Sequence, residues 1–95
     1  MASENINGKK YFNLKIITPR QLEFDQLVYR LQAKSEVGWR GFLANSGPTF
    51  MRLEPGEIVY GDQTGDDHRQ YVKGGILEVQ DGNITILTKS IEPDN

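Results

Sequence analysis

His68 is the only histidine of the chain, and it follows directly on Asp66 and Asp67 with Asp62 a short way upstream. An imidazole among carboxylates is the usual starting point for general-base chemistry or for a metal site. Catalysis also requires an enclosing pocket and a group that orients the imidazole. Residues 61–68 are polar, acidic and glycine-containing, which predicts a solvated hairpin loop instead. Asp62, Asp66 and Asp67 lack the alternating oxygen donors and distal glutamate of a calcium loop. With no cysteine and a single histidine, thiolate and histidine zinc sites are excluded. Gly74-Gly75 would suit a phosphate cradle only if a helix began after it, and an apolar-alternating run follows. A strand bulge or a close strand crossing is the expected use of that pair. Asn83-Ile84-Thr85 matches a glycosylation sequon by chance, since it falls within a strand pattern. These residues predict no catalytic centre, no metal and no cofactor.

What the chain does carry is a well-defined hairpin. Residues 70–87 read QYVKGGILEVQDGNITIL, two alternating runs joined by Asp81-Gly82. Asp-Gly fits the central positions of a type I′ turn, where both residues need positive φ. That turn sets Val79 opposite Ile84 and Leu77 opposite Ile86 on an aliphatic face, with Glu78 opposite Thr85 on the other and Ile76 paired with Leu87 beyond. A hairpin is marginal alone, so the rest of the chain must cover its aliphatic face.

The same period recurs upstream. Phe12, Leu14 and Ile16 alternate with Asn13 and Lys15 until Thr18-Pro19 removes a donor and ends the strand. From Phe24, one face is predicted to hold Leu27, Tyr29, Leu31 and Ala33 and the other Gln26, Val28, Arg30 and Gln32. Residues 35–41 form a glycine-bracketed segment around Trp39, the sole tryptophan, and are predicted to be a loop. Short strands at residues 42–43 and 49–53 flank the turn-rich tract 44–48, and Pro55-Gly56 predicts another turn. Residues 57–60 and 69–73 predict a further hairpin. Short strands at close intervals without an amphipathic helix point to an antiparallel β-sandwich or flattened barrel.

The composition agrees. The chain has 95 residues, enough for one domain, and its 10 glycines and 4 prolines favour β structure over a helical bundle. A net charge of −2 supplies no field for nucleic acid, and none is expected as a partner. No apolar stretch approaches the roughly 18 residues of a membrane span, and the start lacks a signal-peptide core. Absence of cysteine suits a soluble protein of a reducing compartment. Residues 1–10 are expected to be a flexible leader, 11–91 the folded domain and 92–95 a short tail.

Several motifs, in order, resemble the N-terminal β-sandwich domain of the epsilon subunit of F-type ATP synthases. Leu14-Lys15-Ile16-Ile17-Thr18-Pro19 resembles that family's opening strand, with Phe24 at its aromatic position. Gly38-x-x-Gly41-Phe42-Leu43, then Pro48, then Leu53-x-Pro55-Gly56 keeps the spacing of its central segment. Gly74-Gly75-Ile76-Leu77-Glu78-Val79 with residues 83–87 resembles its most distinctive hairpin. The resemblance implies about ten short strands in two five-stranded sheets. It implies a non-catalytic central-stalk subunit that fastens the gamma subunit to the membrane ring of c subunits, on the cytoplasmic face of a bacterial inner membrane, touching the membrane only through that ring. It carries the gamma interface onto Ser46, Pro48, Met51 and Glu78, and the c-ring interface onto Glu36, Gly38, Trp39 and Arg40.

The chain departs from the family at both places. Ala44, Asn45, Ser46 and Gly47 replace the usual gamma-facing turn, and Trp39-Arg40 stands where an acidic residue is common, reversing the local charge. No counterpart of the family's C-terminal helical hairpin lies within the sequence, so neither its inhibitory arm nor its ATP-binding motif is expected. The competing reading is a free-standing β-sandwich that binds a protein or small ligand outside any ATP synthase. A small hydrolase fails for want of nucleophile and base.

Overall fold

The computed structural model describes the backbone of residues 3–6 and 9–92 and the side chains of residues 10–92. None of these residues is helical. Among the described residues nine strands follow one another: β1 (Ser3–Ile6), β2 (Lys9–Ile17), β3 (Leu22–Val28), β4 (Arg30–Ser35), β5 (Gly38–Phe42), β6 (Thr49–Gly61), β7 (Asp67–Gln80), β8 (Asn83–Leu87) and β9 (Ile91–Glu92). The leader predicted at the N-terminus therefore includes a strand, β1, paired antiparallel with the start of β2. Residues 93–95 of the predicted tail lie outside the described residues.

The predicted hairpin forms in the predicted register. Asp81 and Gly82 adopt φ of 53° and 78°, and Val79 pairs with Ile84, Leu77 with Ile86, Glu78 with Thr85 and Ile76 with Leu87. Leu77, Val79, Ile84 and Ile86 are buried. β8 then lies parallel to β2, Leu14 beside Ile84 and Ile16 beside Ile86, so the chain's early and late strands close the sheet together. This parallel pair breaks the expected all-antiparallel pattern. Such a pair needs a long crossover, and nearly the whole chain supplies it.

All nine strands belong to one hydrogen-bonded sheet of order β1-β2-β8-β7-β6-β4-β5, with β3 on β2 and β9 on β7. Phe12 of β2 and Phe42 of β5 stand far apart in that order yet share one buried cluster, so the sheet folds over on itself. The shortest molecular dimension, 21 Å, agrees with two layers stacked about 10 Å apart. The resemblance implies about ten short strands in two five-stranded sheets. The difference arises because β6 and β7 are long and pair without a register change from Thr49–Val79 to Gly61–Asp67. Pro55-Gly56, predicted as a turn, lies inside β6 opposite Lys73 and Val72.

Within this ribbon Gly74 and Gly75 both take positive φ, 72° and 119°. An added Cβ at Gly75 would stand 2.0 Å from the carbonyl oxygen of Leu87, which is the close crossing that the glycine pair predicts. β8 ends there, and β9 resumes the same edge of β7 through Lys73 N–H donating to the Ser90 carbonyl.

One face assignment is overturned. Val28 is buried together with Leu31 and Ala33, whereas Leu27 and Tyr29 are only partly so. Alternation shifts by one at Tyr29, a corner between β3 and β4 whose N–H donates to the Gly61 carbonyl. Period-two counting fails across a corner because the chain changes layer there.

Candidate functional site

Residues 35–41, predicted as a loop, instead form a tight hairpin. β4 and β5 pair from Leu31–Phe42 to Ser35–Gly38, leaving only Glu36 and Val37 in the turn. Buried Ser35 holds that turn: its hydroxyl accepts from the Val37 N–H and donates to the Gly38 carbonyl. Gly38 takes φ of 120°, which favours glycine at this position. Trp39 pairs with Lys34 on the outward face and is 56% exposed, so it is not core. Arg40 lies over the Phe42 ring, 5.5 Å from its centroid.

The tip of the hairpin and residues 50–52 of β6 line a cleft of about 340 Å³. Glu36, Gly38, Trp39 and Arg40 line it together, so the four residues carried over for the ring are contiguous. Met51, carried over for gamma, lines the same cleft, while its side chain also packs on the core. Ser46 sits in the neighbouring turn, where its hydroxyl accepts from the Leu43 N–H at 2.9 Å and its N–H donates to the Leu43 carbonyl. Pro48 is exposed beside it. Glu78 lies on the outward face opposite Phe50 and lines a separate polar pocket with Asn13 and Lys15.

Ser35, Val37, Phe50 and Arg52 complete the cleft, and none of them stood out in the sequence. Val37 and Phe50 are 93% and 73% exposed. The usable signal was parity. Phe50 shares its face with Arg52 and Glu54 on a strand whose other face carries Met51 and Leu53, so an aromatic falls on the polar side.

The histidine and aspartates do something else. Asp62 Oδ1 accepts from the Thr64 N–H at 2.8 Å, the Thr64 hydroxyl at 2.6 Å and the Asp66 N–H at 3.0 Å, while Oδ2 meets His68 Nε2. These bonds, from Thr64 first and His68 next, hold the Asp62 carboxyl well below the usual carboxylate range. His68 stacks on Tyr60 with ring centroids 5.3 Å apart. Each group is engaged in closing the turn between β6 and β7, and His68 is exposed. Among the described residues no three acidic, histidine or cysteine side chains are grouped to hold a metal ion, and no helix is long and apolar enough to cross a membrane.

A family model described as the ATP synthase delta/epsilon chain β-sandwich domain matches residues 11–94. Among solved structures, a chain of the cryo-EM mitochondrial ATP synthase of Euglena gracilis, comprising OSCP, F1 and c-ring in rotational state 1, is similar at TM-score 0.77 and 22% identity. That likeness covers 82% of this chain and 50% of the Euglena chain. A chain from the central stalk and c-ring of the Tetrahymena thermophila mitochondrial ATP synthase is similar at TM-score 0.71 and 17% identity, over 83% of this chain and 63% of that one. At such identities these structures speak to the fold, and this chain spans only about half to two thirds of their length. The match to nearly the whole folded region establishes that the chain belongs to the ATP synthase delta/epsilon β-sandwich family.

Proposed function

We propose that this chain is a non-catalytic central-stalk subunit of an F-type ATP synthase, fastening the gamma subunit to the c-ring so that ion-driven rotation is transmitted without slip. The observation that carries this reading, beyond family membership, is the exposed cluster of Val37, Trp39 and Phe50 beside Arg40 on a rigid hairpin. Large apolar and aromatic side chains left exposed together are characteristic of partner surfaces. In this reading Glu36, Gly38, Trp39 and Arg40 face the ring, and Ser46, Pro48, Met51 and Glu78 face gamma. The chain works peripherally, on the membrane face that bears the catalytic head, which is the cytoplasmic face of a bacterial inner membrane. A folded-over sheet whose strands run through both layers suits a mechanical link, because ladders and close packing resist deformation.

Titrating the purified chain with its cognate gamma subunit in a calorimeter tests this. Binding at micromolar or lower concentration is expected, and none at that level would turn the choice to a free-standing binding module. Trp39→Ala should weaken coupling to the ring and leave the thermal midpoint nearly unchanged, because the indole is 56% exposed. A large loss of stability would remove Trp39 from the interface.

A further inference from the structure

We propose that the ring loop seated on the tip of the β4–β5 hairpin is acidic and presents a carboxylate beside an apolar side chain, the reverse of the basic loop that an acidic hairpin would select. This rests on the stalk reading and adds to it the chemistry of the partner at that contact.

The charges at the tip set the sign. Lys34 pairs with Trp39 on the outward face of the hairpin, and Arg40 and Arg52 line the cleft. None of these three cations has a carboxylate partner among the described residues. Arg40 rests over the Phe42 ring, and its N–H groups make no hydrogen bond among those residues. Glu36 is the only acidic residue of the lining, while Glu78, opposite Phe50, lines the separate polar pocket with Lys15. Three cations against one carboxylate make this end positive on a chain of net charge −2. A partner of the same sign would be rejected here, because juxtaposed like charges at an interface are strongly unfavourable.

The apolar side chains add the second requirement. Val37, Trp39 and Phe50 are exposed around the same cleft, and a loop of charged residues alone would leave them in water. A loop with an apolar side chain next to its carboxylate covers these three and reaches Arg40 or Arg52 at the same time. Arginine is suited to that contact, since its planar fork of donors matches a carboxylate in two hydrogen bonds. An aromatic and an arginine side by side are also the usual anchors of a protein interface.

Binding of the intact chain to its detergent-solubilised cognate c-ring tests the sign through two substitutions of opposite charge. Arg40→Glu should weaken binding at least about tenfold, and Glu36→Lys should strengthen it about threefold or more. Both side chains are exposed, so both variants keep the fold. Arg52→Glu, also at an exposed position, should repeat the loss, which keeps the result readable if Arg40→Glu disturbs the Phe42 contact. Any other pair of signs overturns the inference: a basic loop reverses both changes, and a neutral loop abolishes both. Those outcomes leave a ring-binding stalk subunit in place. No binding to the ring at all would overturn the inference as well, and the gamma titration then decides the stalk role by itself.

Discussion

Gly75 shows how one residue constrains two layers. Its φ of 119° lies where side chains are strained, and a Cβ there would meet the Leu87 carbonyl at 2.0 Å and the Thr88 Cα at 2.9 Å. Both obstacles are backbone, so no rotamer change relieves them. Gly75→Ala should cost about 3 kcal/mol or more in urea unfolding, at the upper end of single-residue effects. Gly41 is the internal control, because a Cβ there meets nothing within 4 Å, and Gly41→Ala should change stability by less than about 0.5 kcal/mol. Equal effects at the two positions would contradict the crossing. The sequence narrowed Gly74-Gly75 to a bulge or a close strand crossing, since a glycine pair opening an alternating run has few other uses. Exposure of Trp39 was not legible in the same way. A glycine-flanked indole suits core and surface equally, and only the pairing of Trp39 with outward-facing Lys34 decides it.

At the scale of the element, the turns differ in how much they disclosed. Asp81-Gly82 specified type, register and buried face at once, because a two-residue turn leaves the flanking strands no freedom. The turn between β6 and β7 disclosed only its polarity, since its closure depends on Asp62, Thr64, Asp66 and His68 meeting in three dimensions. That turn has a defined response to acid. The folded Asp62 carboxyl titrates below its ordinary value of 3.8, so as pH falls the unfolded state takes up this proton first. The stabilisation it provides is complete above the unfolded value and is lost as pH falls through the lower, folded one. Carbon-detected titration of the Asp62 carboxyl, which accepts from the Thr64 and Asp66 amides, should show its own step only below pH 3.8. A carboxyl step centred at or above that value would show an unanchored carboxylate. Asp62→Asn should shift the Thr64 and Asp66 amide resonances at neutral pH, since a neutral amide oxygen is a weaker acceptor. The cleft was least legible of all. Its walls come from residues 35–40 and 50–52, and no local pattern reveals that the two segments face one cleft.

For the whole molecule the decisive feature is that β6 and β7 belong to both layers. Residues 49–53 pair with the β8-proximal half of β7, and residues 59–61 pair with its first half and with β4. Leu53 and Ile58 from the two parts of β6 enter one buried cluster with Phe12, Leu31 and Leu77. Two separate sheets could loosen at their interface, whereas here melting either layer cuts a ribbon that the other requires. The chain should consequently unfold in one step, with far-UV circular dichroism and Trp39 fluorescence giving coincident urea transitions. Trp39 sits on β5, at one end of the strand order, where an independent layer would release first. A fluorescence transition preceding the loss of strand signal would mean that the β4–β5 hairpin melts by itself, and the continuity of β6 and β7 would then not govern stability. Coincidence carries a mechanical consequence for the proposed stalk role. A load applied at the hairpin would be borne by the whole sheet, because no smaller unit is available to yield.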